Sequence, residues 1–293
     1  MIPAEQPLAA AIPVEHILTE AHLAGALALT RSANWNQNEA DWRLMLSIGR
    51  AWGITAGDGT LAASTLVLPY LDGARAVGGS FAWVSMVLVS PQHRRKGYAS
   101  QLLGTAIADL RSRHLTPILD ATPAGHEVYI QEGFHDTWGF KRYALKQDAA
   151  AISVPPGVRP LEERDWPHVL ELDRVAFGAS RETLLRSLAV RLPRAAWVAE
   201  RGFMLGRDGH EACQLGPLVA QDADTAKALL SAALGRLRAP LYVDVADHAA
   251  ALRAWLEALG FAFQRPFTRM VHGVGDAPGD ASKVMLVAGP ELG

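Results

Sequence analysis

The chain has 293 residues, about twice the length of a usual single domain, so we expect two domains. Hydrophobic residues make up 49% of the sequence and charged residues 20%, which excludes an intrinsically disordered chain. The formal net charge of −2 argues against general nucleic-acid binding, and the single cysteine, Cys213, excludes a disulfide framework and a multi-cysteine metal site.

The sequence also favours a cytoplasmic protein with neither a membrane segment nor a metal site. No stretch approaches eighteen uninterrupted apolar residues, and the first residues lack the positive region of a signal peptide. Residues 1–13 hold three prolines and several alanines, which predicts a loose leader.

The elements that follow are a strand, two helices and two more strands. Val14–Ile17 reads as a strand, Leu18–Leu29 as a helix and Asn38–Gly49 as a second helix. Two further strands, a turn and a glycine-rich connection come next: Trp52–Ala56, Gly57–Gly59, Leu61–Tyr70 and Leu71–Gly79.

The most informative stretch begins with Phe81–Ser90, a nearly uncharged run that predicts a buried strand. A basic turn, Pro91–Ala99, leads from it into a helix whose apolar residues recur at Ala99, Leu102, Leu103, Ala106, Ile107 and Leu110. The first N–H groups of a helix have no intrahelical partner and lie at its positive end. Strand, basic glycine turn and helix therefore predict an anion site that fits a diphosphate.

Three more elements complete the first half. Ile118–Ala121 predicts a strand, Gly125–Phe134 a short helix that ends at glycine, and Thr137–Leu145 a last strand. A stretch of small residues ending in Pro155-Pro156 then predicts a linker.

Two of these motifs resemble a known family. Arg94-x-x-Gly97-x-Ala99 is similar to the acyl-CoA loop of the GNAT acyltransferases, and Tyr129-x-x-x-Gly133-Phe134 follows at the family's distance. The resemblance implies an α/β (α+β) fold, a mixed and mostly antiparallel sheet flanked by helices, with a V-shaped splay at the central strands.

The resemblance also implies a cofactor, acetyl-CoA or CoA, and the residues that bind it. In the family's pattern, the backbone N–H of Val87 donates to the thioester oxygen. Tyr129 is the candidate acid for the departing thiolate, although it could simply pack against the cofactor. The implied cofactor-binding residues are Val87, Leu88, Val89, Arg94, Arg95, Lys96, Gly97, Tyr98 and Ala99.

The sequence offers several candidates for the general base. Some GNAT enzymes carry a glutamate early in the central strand, where this chain has Trp83, and that strand has no carboxylate. Asp120 could accept the proton, directly or through water, orient a cationic amine, or serve only as a cap or turn residue. His93 and His126 are lesser candidates.

The resemblance also implies that the segment 32–37, where Trp35 lies among polar residues, covers the acceptor end of the cleft. We expect Trp35 and Trp83 to shape the acceptor pocket, with core packing as the alternative for Trp35, while packing is favoured for Trp42.

The second half repeats the first in weakened form. A shift of 127 positions carries Ala99 to Ala226 and Gly133-Phe134 to Gly260-Phe261, and it keeps the apolar stripe. Under the same shift, the basic loop falls on the acidic stretch Gln221–Ala226, which would repel a diphosphate. We therefore predict a catalytic GNAT domain at 1–147, a linker at 148–157 and a degenerate GNAT-like domain at 158–293.

The second half also resembles the bacterial tandem-GNAT group with a YitH-like C-terminal domain. Segments 119–125, 172–181, 215–220 and 289–293 carry this likeness. Asp173 and Arg181 are candidate acceptor ligands, an ion pair or caps, and we favour a structural role.

Taken together, the residues and the resemblance predict an acyl-CoA-dependent N-acyltransferase, most simply one that uses acetyl-CoA. We expect direct attack by a small-molecule amine in a ternary complex, and a monomer or homodimer. The alternative is a non-catalytic acyl-CoA sensor or interaction module.

Overall fold

The fold is seen in a computed structural model that describes residues 13–71, 80–148 and 154–293. The strands are β1 Val14–Leu18, β2 Arg50–Thr55, β3 Leu61–Tyr70, β4 Phe81–Val89, β5 Thr116–Ala121, β6 Phe134–Leu145, β7 Arg159–Pro160, β8 Trp197–Ala199, β9 Gly202–Arg207, β10 Cys213–Ala220, β11 Leu241–Ala246, β12 Ala262–His272 and β13 Val284–Leu286. The helices are α1 Leu23–Ser32, α2 Glu39–Ile48, α3 Tyr98–Ser112, α4 Pro123–Gln131, α5 Trp166–Phe177, α6 Glu182–Arg191, α7 Ala223–Leu234 and α8 Ala250–Ala258.

Some sequence predictions lie outside the described residues. These are the leader up to residue 12, the connection at 72–79 and the linker at 149–153. Elsewhere the predicted order is confirmed, with corrections at two helices. α4 ends at Gln131, and Phe134, predicted as the end of that helix, is the first residue of β6. Leu18 pairs with Ala51 as the last residue of β1, so α1 begins only at Leu23. Strand pairing across the sheet, which a local pattern cannot report, decides this boundary.

The described strands form one mixed sheet of thirteen strands. Its order is β1-β2-β3-β4-β5-β12-β6-β11-β13-β10-β9-β8-β7. Apart from β13, this order reads alike from both ends, because β7 to β12 repeat the roles of β1 to β6. The predicted α/β class and the repeat of the GNAT-like pattern are confirmed.

The two halves exchange a strand at the centre of the sheet. β12 pairs antiparallel with β5 and with β6, and β6 pairs in turn with β11. Each half therefore completes the sheet of the other. The sequence predicted two sheets in tandem but did not predict this exchange.

The helical stripes face the core as predicted. In α3, Leu102, Leu103, Ala106, Ile107 and Leu110 are buried against the sheet. Their counterparts in α7 pack in the core of the second half. Burial of such apolar faces supplies most of the stability of both layers.

The central strands part in both halves, but with different consequences. β4 and β5 run parallel and pair only from Phe81 to Trp83, after which they diverge. In the second half, β10 and β11 pair from Cys213 to Leu215, and β13 then fills the space between them. The splay of the first half thus lies open where that of the second is occupied by the chain itself.

Residues 287–293 continue from β13 and pack against the first half. The hydroxyl of Tyr70 donates to the backbone oxygen of Leu292 at 3.0 Å, and the Trp83 indole N–H donates to that of Pro290 at 3.0 Å. Arg181 donates to the oxygen of Gly293 while it forms a buried ion pair with Asp173. The structural role favoured for Arg181 and Asp173 matches these contacts.

None of the helices in the described part of the chain is long and apolar enough to span a membrane.

Candidate active site

The turn between β4 and α3 leaves the first N–H groups of α3 accessible to an anion. Gly97 is the N-cap residue, with φ of +81°, and no side chain caps the helix. A Cβ at Gly97 would meet no atom within 4 Å, so the backbone angle, and not lack of space, favours glycine here. The first turn of α3 also contains no acidic residue. This helix end suits phosphate binding.

Three exposed cations flank this helix end. Arg94, Arg95 and Lys96 form no ion pair with any residue in the described ranges. Their charge remains available to a bound anion. The predicted cofactor residues follow one path from strand to helix: Val87, Leu88, Val89, Arg94, Arg95, Lys96, Gly97, Tyr98 and Ala99.

A bulge interrupts β4 immediately before Val87. Ser64 lies opposite Leu88 and Leu66 opposite Ser85, so the strand gains an extra residue between these pairs. Met86 has φ of +51°, and its backbone oxygen accepts a hydrogen bond of 2.8 Å from the Ser64 hydroxyl. Bulges and left-handed non-glycine residues redirect a strand, often at functional sites. Here the bulge brings Val87 to the wall of a pocket.

This pocket lies in the splay between β4 and β5. Five segments of the first half and two of the second contribute to its wall. The lining residues are Trp35, Gln37, Val84, Ser85, Met86, Val87, Leu119, Asp120, Thr122, Tyr129, Arg142, Arg265, Phe267, Pro290 and Glu291.

The structure thus brings four predicted residues together: Trp35, Val87, Asp120 and Tyr129. Trp83 is corrected. Its side chain is 1% exposed, packs beside Arg269 and does not reach the pocket wall among the described residues. Its ring centroid lies 5.8 Å from that of Phe177, within the core of the protein. Trp42 is fully buried, which fits the packing role favoured for it.

Tyr129 projects from α4 into the pocket. A Cβ on Gly125 would lie 2.9 Å from Cε2 of the Tyr129 ring, so the ring occupies the space that glycine leaves. Phe134 contacts the ring edge-to-face, with centroids 6.0 Å apart. Burial raises the pKa of the Tyr129 phenol to about 12. The phenol is therefore a proton donor throughout the neutral range.

Asp120 lines the pocket, but its carboxylate is already bound. Arg269 on β12 donates to both oxygens, at 2.9 and 3.0 Å, and the pair is buried. Burial raises the pKa of the Asp120 carboxyl, and the Arg269 guanidinium opposes that rise. The Arg269 guanidinium in turn lies 4.4 Å and 4.2 Å from the ring centroids of Trp83 and Trp138. Asp120 thus anchors the exchanged strand β12 to β5.

Sequence reasoning missed six polar residues of the pocket. They are Gln37, Ser85, Thr122, Arg142, Arg265 and Glu291. Glu291 is 2% exposed and is held by Arg207, which also binds Asp41 at 2.5 Å. No local signal could have found Glu291, since more than 160 residues separate it from Gln37, Val87 and Tyr129. Only the folded chain brings them together.

The corresponding helix end in the second half is closed. The side chain of Asp222 accepts a hydrogen bond of 2.8 Å from the Thr225 N–H, and Asp224 adds negative charge to the first turn of α7. β13 also occupies the splay of this half. A cofactor would therefore meet a steric obstacle in addition to the electrostatic one that the sequence predicted. The loss of the cofactor site from this half stays a prediction.

Models of known protein families match most of the chain in two segments. Two models, both described as an acetyltransferase (GNAT) domain, match residues 16–135 and 169–285. The chain belongs to the GNAT acetyltransferase family. It is an acetyltransferase with two GNAT domains in tandem, which confirms the family and enzyme class predicted from the sequence.

Individual GNAT relatives span nearly the same length. The uncharacterized N-acetyltransferase YitH of Bacillus subtilis is 21% identical over 251 residues, which are 83% of this chain and 86% of the relative. A GCN5-related N-acetyltransferase of Sphaerobacter thermophilus has a TM-score of 0.63 at 18% identity, covering 93% of this chain and 98% of its own.

A tandem GNAT protein from the clavulanic acid biosynthesis pathway has a TM-score of 0.60 at 14% identity, covering 90% of this chain and all of its own. At these identities the two solved structures show a shared fold. The fold alone does not specify the acceptor.

Proposed function

We propose that this GNAT protein transfers an acetyl group from acetyl-CoA to a small-molecule amine in the pocket of its first half. The observation that carries the proposal is the uncapped end of α3, with Arg94, Arg95 and Lys96 beside it, at the mouth of a splay that holds Val87 and Tyr129. A diphosphate at the helix end and a thioester in the splay fit this arrangement.

The chain's residues divide the work of acyl transfer. The backbone N–H of Val87 would stabilise the oxyanion that forms as the amine nitrogen bonds to the acyl carbon. As the carbon–sulfur bond breaks, Tyr129 would give its proton to the thiolate. The incoming nitrogen loses one proton to a base or to water.

Direct attack is favoured over an acyl-enzyme. Cys213 lies on β10 in the second half, away from the pocket, and burial raises the pKa of its thiol. A raised pKa makes a thiol a poorer nucleophile. We therefore propose that amine and acetyl-CoA react in a ternary complex.

The cofactor site is tested by Gly97→Ala, with Gly59→Ala as its matched control. Both glycines have φ above +80°, and neither has an atom within 4 Å of its missing Cβ, so alanine strains both turns equally, by about 1–2 kcal/mol. Only Gly97 lies at the helix end. By isothermal calorimetry, Gly97→Ala should weaken acetyl-CoA binding about 10-fold, and Gly59→Ala should leave it unchanged.

Two results would count against the proposal. Equal binding by the two variants would remove the helix end from the cofactor site. Tight binding of acetyl-CoA, without release of CoA in the presence of any amine from a broad panel, would favour the acyl-CoA sensor instead.

A further inference from the structure

Arg265 is a cation on the pocket wall, and the carboxylates of Asp244 and Glu211 act on it only at a distance. It lies on β12 opposite Arg142 of β6 and is half-buried. Arg142 is committed to Asp244 through two hydrogen bonds of 2.8 and 2.7 Å. Arg265 forms no ion pair in the described part of the chain, and its buried Nε has no hydrogen-bond partner. A buried cation of this kind calls for an anion.

Three buried oxygen atoms on the pocket wall also lack a partner. They are Oε1 of Gln37, Oγ of Ser85 and Oε2 of Glu291. These side chains are 4%, 6% and 2% exposed, so their polar atoms are shielded from bulk water. Buried polar atoms are rarely left unpaired unless a ligand or water satisfies them.

The three oxygens match the chemistry of an amine. A primary ammonium has three N–H donors and no acceptor, whereas Gln37 Oε1 and Glu291 Oε2 can only accept and Ser85 Oγ can do both. Ser85 precedes the bulge of β4 and lies two residues before Val87. An amine held by these oxygens would be near the N–H assigned to the thioester oxygen.

Glu291 is well placed to hold that amine in a fixed position. Arg207 binds its Oε1, whereas Oε2 has no hydrogen-bond partner among the described residues although Glu291 lines the pocket. Asp41 shares Arg207, so the guanidinium is already balanced by a second carboxylate. Glu291 is therefore a carboxylate that can accept a hydrogen bond, or a proton, from the acceptor.

The anionic end of an acceptor has room beyond the pocket. Arg142 and Arg265 also line an adjoining open recess, with Asn34, Asn36, Glu211, Tyr242 and Gln264. Arg265 thus stands between an enclosed space that suits an ammonium and a polar mouth. The planar fork of a guanidinium matches a carboxylate through two hydrogen bonds.

We infer that the acceptor is an amino acid, whose primary amine is held by Glu291, Gln37 and Ser85 and whose carboxylate is held by Arg265. This inference rests on the proposed acetyltransferase function and specifies its substrate class. Arg265 and Glu291 both come from the second half, so that half supplies acceptor specificity to the first.

The test compares amino acids with alkylamines of the same chain length as acceptors, monitored by release of CoA. The wild type should prefer the amino acid in kcat/KM by about 100-fold, the value of a charge-assisted hydrogen-bond pair. Arg265→Gln should abolish that preference by lowering kcat/KM for amino acids alone. Arg236→Gln, at an exposed arginine outside the pocket, should behave as wild type.

Glu291→Gln is the second variant in this test. It keeps the shape of the side chain but removes its charge, so it should lower kcat/KM for amino acids and alkylamines alike. The KM for acetyl-CoA should not change in either variant, because neither residue lies at the α3 end. Circular dichroism would verify that both variants fold.

The outcomes separate this inference from the proposed function. Equal kcat/KM for amino acids and alkylamines in the wild type would overturn the inference and leave the acetyltransferase function standing. If no amine releases CoA, calorimetry of amino acids binding to wild type and Arg265→Gln decides the inference alone. Binding lost in the variant supports it, and equal or absent binding in both overturns it.

Discussion

At the residue scale, Tyr129 shows how burial prepares a phenol for its proposed role. The phenol has a usual pKa near 10, and burial raises the pKa of Tyr129 to about 12 because the phenolate would lose its hydration. A group with a raised pKa keeps its proton as the pH rises through its usual range. Tyr129 can therefore donate a proton at any pH below about 12.

Tyr129→Phe tests this role through the pH profile. Loss of a general acid typically lowers kcat about 100-fold or more. Since the Tyr129 phenol stays protonated, the ratio of wild-type to variant kcat should be constant from about pH 7 to about pH 10. Using a ratio removes the titration of the amine acceptor, which both proteins share. A ratio that falls near pH 9, or a variant with full kcat at saturating acetyl-CoA, would contradict the role.

Asp120 differs from Tyr129 in that its hydrogen-bond partner indicates its role. Its two hydrogen bonds to Arg269 join β5 to β12 within a buried pair. Removing one member of such a pair strands the other charge in a dry environment. The sequence left a general base and a structural residue as alternatives, and these contacts favour the structural one.

Asp120→Asn should therefore act mainly on stability. We expect it to lower the free energy of unfolding by about 3–5 kcal/mol, because Arg269 loses its counter-ion. Chemical denaturation measures this change. A general base would instead give unchanged stability and the loss of the acidic limb of the pH–rate profile.

At the element scale, the first turn of α4 positions Tyr129, the proposed acid. Gly125 leaves the space that the Tyr129 ring fills, whereas Gly104 in the middle of α3 has open space around it. Both glycines lie within helices, where glycine is intrinsically less favourable than alanine. Their substitutions differ in a single respect, the contact with Tyr129.

The pair Gly125→Ala and Gly104→Ala separates helix stability from catalysis. Gly104→Ala should raise the free energy of unfolding by about 0.5–1 kcal/mol without changing kcat. Gly125→Ala should displace the Tyr129 ring and lower kcat about 10-fold, with little loss of stability because the helix gains alanine. Thermal denaturation and steady-state kinetics together measure both effects. Equal kcat in the two variants would show that the ring position is not critical.

The two halves also show that a helix can keep its packing while the residues at its N-terminus change. α3 and α7 bury the same apolar stripe. Their N-termini differ: Gly97 leaves the first open, and Asp222 caps the second with its own side chain. Packing and ligand binding depend on different residues of a helix, so one can change while the other persists.

At the scale of the whole molecule, exchange of β6 and β12 joins the halves into one structure. Every hydrogen-bonded connection from β5 to β11 passes through a strand of the other half. Neither half can unfold alone without opening an edge in the other.

We therefore expect one cooperative thermal transition. Leu230→Ala, in the core of the second half, should destabilise the protein by about 2–5 kcal/mol and lower that single transition as a whole. Saturating acetyl-CoA should raise the same transition, since a ligand stabilises the unit that binds it. Calorimetry that resolved two transitions, only one of them shifted by Leu230→Ala, would show that the halves unfold independently.

The sequence by itself determined the elements, the repeat and the basic glycine turn before α3, because each depends on local chemistry. Helical periodicity placed the stripe from Leu102 to Leu110 in the core, and glycine among cations marked the turn at Gly97. The resemblance to the GNAT family brought Val87 and Tyr129 forward as site residues, and the fold brings them to one pocket.

Only the tertiary structure decided which residues line the pocket. Arg265 and Glu291 reach the pocket through an exchanged strand and a chain segment that packs across the sheet, and neither carries a local signal of its place. The pairing of Asp120 with Arg269 and the burial of Trp83 were equally hidden. Contacts between residues far apart in sequence depend on how whole elements pack, and a single sequence encodes that packing only through the complete fold.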